Sequence, residues 1–171
     1  LEAQVRSKVS RARADMRSCA TALEAYAVDN NKYPSDNYDQ NAANRDYPDM
    51  ASWHLTPQLS SPIAYITSTA SMIDPFNVTD PPPDNTFRYV NLKYTYVIKR
   101  NLPAIYNSYR ESLGEWLMTS DGPDRVFGPD GGAAVPARSY LLVVIYDASN
   151  GTVSPGDIVR SHNSPDGYKL P

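Results

Sequence analysis

Apolar residues at Val5, Val9, Ala12, Met16, Cys19, Leu23 and Tyr26 step alternately by four and three, which keeps them on one stripe of a 3.6-residue helix. A strand would need alternation by two. Neither Gly nor Pro interrupts the run before Pro34, and Asn30-Asn31 ahead of that proline reads as a C-terminal stop. No Ser, Thr, Asp or Asn stands before the stripe as a cap. The helix is therefore expected to run to within a few residues of Leu1 and to continue upstream. About 30 residues make a rod of roughly 45 Å, so its first turns are expected to project.

Residues 34–62 are polar and rich in turn residues, and "DPPPDN" cannot pair in a sheet. Strand patterns follow at 92–99 ("LKYTYVIK"), 115–120 ("EWLMTS"), 139–147 ("SYLLVVIYD") and, more weakly, 157–161 ("DIVRS"). Asn150-Gly151 between the last two is a hairpin signal. The expected fold class is α+β, in one domain spanning 1–171. A helix over 1–31 and a loop-rich connection over 32–91 precede an antiparallel sheet with a C-terminal loop over 92–171, the sheet lying on the C-terminal half of the helix.

Charge changes the picture of the helix. Its early turns hold Arg6, Lys8, Arg11, Arg13 and Arg17 against Glu2 and Asp15, a local +3 in a chain of net charge -3, so the remainder carries -6. Arg6, Arg13 and Arg17 fall within roughly 40° of each other on the helical wheel and about 90° from the apolar stripe. They can form a solvated face, or meet anionic headgroups or acidic groups of a neighbouring subunit. With a single local basic cluster and a pI near 5.3, the chain does not read as a nucleic-acid binder. No run approaches the roughly 20 apolar residues of a membrane span, and no signal peptide is seen.

Fifteen prolines and thirteen tyrosines against three phenylalanines predict long ordered loops in which tyrosine rings pack and hydroxyls stay wet. Cys19, the only cysteine, sits on the apolar stripe and reads as a small core residue. His54 and His162 match no metal or catalytic spacing and read as surface residues. Nucleophile-elbow, phosphate-loop and dinucleotide motifs are missing, so no enzyme is expected.

The order of several pieces carries a resemblance. "EAQVRSKVSRARADMRSCATALEAYAVDNNKYP", then "PIAYI" leading to "DPF", then "YTYV", then "SDGPD" and "YDASNGTVSPGDIVRS" resemble the type IV pilin-like family, most nearly the major pseudopilins of bacterial type II secretion. The resemblance implies a periplasmic domain whose apolar N-terminal half-helix, missing here, anchors the subunit in the inner membrane, becomes methylated and packs a filament core. The role implied is that of a structural subunit of a pseudopilus or pilus-like filament, with other pseudopilins and secretion-machinery proteins as partners. Val5, Val9, Ala12, Met16, Arg6, Arg13 and Arg17 are its expected assembly residues. Loops at 36–50 and 78–91 depart from the compact pseudopilin pattern. Major pseudopilins hold calcium in a late loop, and "TSDGPDRVFGPDGG" places Asp121, Asp124 and Asp130 among glycines in a similar place. Calcium there, or plain turn chemistry, are both open readings. The alternative function is an extracytoplasmic binding module recognising a glycan or a protein through tyrosine-rich loops.

Overall fold

The computed structural model describes residues 2–39, 41–47, 49–50, 53–127, 145–150 and 155–164. A 29-residue helix α1, Glu2–Asn30, opens the fold, as the four-three stepping predicts. Asn31 adopts a left-handed φ of 53° and ends it. Loops with short 3-10 turns at Ala42–Asn44, Pro57–Leu59 and Thr69–Ser71 lead to strand β1, Arg88–Asn91. A π-helix, Lys93–Lys99, and helix α2, Pro103–Leu113, follow before strands β2, Trp116–Ser120, and β3, Ile158–Ser161. The three strands form an antiparallel sheet in the order β1-β2-β3, with Tyr89 opposite Met118 and Met118 opposite Arg160.

All five residues of β2 are buried because both faces of the sheet are covered. On one face Tyr89, Trp116, Met118 and Ile158 pack with Val9, Ala12, Met16, Cys19 and Leu23 of α1. On the other, Leu117 and Val159 pack with Leu92 and Tyr96 at the π-helix and with Tyr106 and Leu113 of α2. The period-two alternation of a strand thus sends neighbouring residues of β2 into two different cores. Cys19 is fully buried, and burial first, then the nearby Asp15 charge, pushes its thiol up to about 12. It is an inert core residue.

Three sequence expectations are corrected. Residues 92–99 are not a strand. Asn91 Oδ1 accepts the Tyr94 N–H at 3.0 Å and starts a helical turn, while buried Asp36 takes the Asn91 N–H and the Thr95 hydroxyl, so tertiary bonds override the β-propensity of the tyrosines. Strand β1 lies inside the segment 78–91 expected to be loop. Helix α2 was not expected, although Pro103 at its first turn and Gly114 after its last, at φ 85°, are ordinary start and stop signals. The expected strand 139–147 falls largely outside the described residues. Its last part meets the 157–161 segment through a parallel bridge, Ile145 with Asp157, rather than as an antiparallel hairpin arm. Gly151 of the expected turn lies outside the described residues.

Candidate assembly surface

Helix α1 divides its seven expected assembly residues by direction. Val9 is 6% exposed, Ala12 and Met16 are buried, and Val5 is half-buried against the same core. The apolar stripe is therefore consumed by the chain's own sheet, which corrects the expectation that the first turns stand clear. Lys8 marks the point of contact: its Nζ donates to the Pro75 carbonyl at 3.4 Å and lies 5.9 Å from the Phe76 ring centroid. Arg6, Arg13 and Arg17 all face solvent. Among the described residues Arg6 pairs with Glu2 alone, at 3.7 Å between well-exposed side chains, and Arg13 and Arg17 have no carboxylate within ion-pair distance. The exposed face of α1 over these turns is cationic rather than apolar.

The far end of α1 is held by polar bonds. Glu24 accepts the Trp116 indole N–H at 3.0 Å and the Tyr33 hydroxyl at 2.8 Å. Tyrosine hydroxyls find protein acceptors repeatedly: Tyr89 donates to the Pro34 carbonyl, Tyr65 to Asp29, Tyr94 to Asp46 and Tyr106 to Glu115. Sequence reasoning expected these groups to stay wet. Carboxylates of α1 and of the loops, and one main-chain carbonyl, were the missed partners.

His54 is 1% exposed, not a surface residue. It bridges to Arg88 across the start of β1, bonds the Thr86 backbone and leaves Nδ1 unpartnered. Burial, followed by the Arg88 charge, lowers its pKa to about 4, which keeps the ring neutral. His162 is exposed, as expected, and its Nδ1 accepts the Glu115 N–H at 3.3 Å.

Asp121 and Asp124 are both engaged. Asp121 Oδ1 takes the Arg88 Nε–H at 3.3 Å, and Arg88 also meets Asp80 at 3.6 Å and stacks 4.4 Å from the Phe127 ring centroid. Asp124 accepts the backbone N–H groups of Val126 and Gly156, pinning the turn at Gly122 to the segment before β3. A Cβ on Gly122 would stand 2.0 Å from the Gly156 carbonyl oxygen, so that close approach needs glycine. Asp130 lies outside the described residues. Among the described residues no three His, Cys, Asp or Glu side chains cluster as metal ligands, and no helix is long and apolar enough to cross a membrane.

No curated protein and no solved structure matches the chain. Residues 1–78, just under half of it, match the family model described as type II secretion system (T2SS), protein G, and this similarity, together with a long N-terminal helix laid on an antiparallel sheet, supports a type II pseudopilin-like reading.

Proposed function

We propose that the chain is a structural subunit of a type II secretion pseudopilus or a related pilus-like filament, working by polymerisation rather than by catalysis. The observation that carries this reading is α1 itself: the family similarity begins on it, and it presents an arginine face with few partners of its own. In such an assembly the subunit is periplasmic, is held at the inner membrane by an apolar half-helix ahead of Leu1, and stacks with other pseudopilins of the secretion machinery. The arginines then meet acidic groups of neighbouring subunits, for which the -6 carried outside the early turns is available. Calcium at the loop of Asp121, Asp124 and Asp130 is part of the same proposal and rests on the sequence resemblance; because Asp121 is bound to Arg88 and Asp124 to two main-chain N–H groups, both would exchange those partners for the ion.

The test uses the full-length protein with its upstream segment. Replacing Arg6, Arg13 and Arg17 together by Glu should reduce filament yield, counted by electron microscopy, and the loss should shrink as salt is raised. Exposed pairs are worth only about 0.2 to 1 kcal/mol each but repeat at every subunit. Unchanged filaments at low salt would remove the arginine face from assembly.

A further inference from the structure

A cleft of about 630 Å³ opens at the C-terminal end of α1, between the loop that leaves the helix and the π-helix. We propose that it binds an acidic oligosaccharide of two or three residues, a function separate from polymerisation and independent of whether the chain assembles.

The volume falls in the range of small-ligand sites, commonly about 300 to 1,000 Å³. Tyr33 and Tyr94, both half-buried, line it and supply ring surface held in place. The Tyr33 hydroxyl is tied to Glu24, and the Tyr94 hydroxyl to Asp46 at 3.1 Å. Two ammonium groups, Lys32 and Lys93, line the same cleft. Both are exposed, and among the described residues neither has a carboxylate within ion-pair distance. The acidic groups there are already engaged: Asp46 Oδ2 accepts the Ser35 hydroxyl at 2.6 Å, and Glu115 accepts Tyr106 and pairs with Arg110 at 2.9 Å. Arg110 offsets Glu115, while Asp46 keeps its charge because its partners are neutral hydroxyls, so the two unpaired ammonium groups leave the cleft lining net positive and an anion is the complementary occupant.

Two main-chain donors of the wall are occupied. The Ser35 N–H goes to Gln58 at 3.0 Å and the Asn91 N–H to Asp36 at 2.9 Å, so an extended peptide finds no strand edge to join there. What remains is a mixed set of side-chain donors and acceptors around two phenol rings, which suits a hydroxyl-rich ring carrying a carboxylate.

The probe is trigalacturonate, titrated into the full chain and followed by amide NMR and by tryptophan fluorescence. The second signal is available because Glu24 links Tyr33 to Trp116. Resonances of Lys32, Tyr33, Lys93 and Tyr94 should move, and a neutral trisaccharide, maltotriose, should bind about tenfold more weakly or worse. The double variant Lys32→Gln, Lys93→Gln changes exposed residues only and should erase that preference while its unfolding curve stays in place. Absence of any shift with trigalacturonate in the millimolar range would overturn the proposal. A hexaglutamate peptide that engaged the same four residues more tightly would also overturn it, in favour of an acidic protein partner.

Discussion

Glu24 is a charged residue on a helix face, yet it accepts two bonds, from the buried Trp116 indole and from the half-buried Tyr33 phenol. Removing an acceptor while its donor stays buried costs about 1 to 3 kcal/mol. Glu24→Ala should lower stability by that much in urea unfolding. Glu24→Gln should cost less, because its amide oxygen can still accept from Trp116 and its NH₂ can donate to the Tyr33 oxygen. Two buried titratable residues make opposite demands on pH. Asp36 is fully buried, and desolvation raises its pKa to about 7 against the bonds from Thr95, Tyr38 and Asn91. Its stabilising contribution is complete below about 4 and is lost as pH rises through about 7. His54, lowered to about 4, contributes above about 6.5, and that contribution is lost as pH falls through about 4. Asp74 and Asp121, also raised by burial, act in the direction of Asp36. Asp36→Asn should therefore make stability drop more steeply on acidification from pH 7 to 4, and His54→Gln should make it rise more steeply, both read as denaturation midpoints across that range. Parallel profiles for the two variants would contradict these assignments.

Elements are placed here by their ends. Helix α2 starts on Pro103 and stops at Gly114, whose φ of 85° suits glycine and whose missing Cβ leaves room for His162. An added Cβ would come within 2.6 Å of His162 Nδ1. Gly114→Ala should destabilise by about 1 to 3 kcal/mol from the backbone conformation alone, and more if the ring cannot shift. Loss of the Glu115 N–H to His162 Nδ1 bond should show as a shifted Glu115 amide resonance by NMR. The π-helix depends on its surroundings in another way, since Asn91 caps its first turn and Asp36 reaches across from the loop after α1 to hold Thr95.

Across the molecule, β2 joins two cores. Met118 belongs to the α1 side and Leu117 to the α2 side, so strain on one core reaches the other through a single strand. Leu113 packs only with the α2 side. Leu113→Ala should cost about 2 to 5 kcal/mol and should shift the midpoints seen by tryptophan fluorescence and by far-UV circular dichroism equally, as one cooperative unit. Two separated transitions would show that α2 and the π-helix unfold on their own.

Local pattern alone determined α1, because a stripe of seven residues spaced by fours and threes over about six turns has one regular solution, and it determined β2 and β3, whose short apolar runs are flanked by turn residues. The inward side of α1 was legible for the same reason, as was Cys19 as a core residue. The fate of that apolar stripe was not. A sequence shows that Val9 and Met16 must be covered, but only the packed sheet shows that this chain covers them itself and leaves the arginines exposed. Residues 92–99 alternate as a strand does, and single bonds from Asn91 and Asp36, far apart in the chain, turned them into a helix. His54 looked polar and exposed until β1 closed over it. The cleft beside Tyr33 and Tyr94 was beyond the reach of pattern altogether, since its walls come from segments some sixty positions apart and exist only once the end of α1 and the π-helix are brought together.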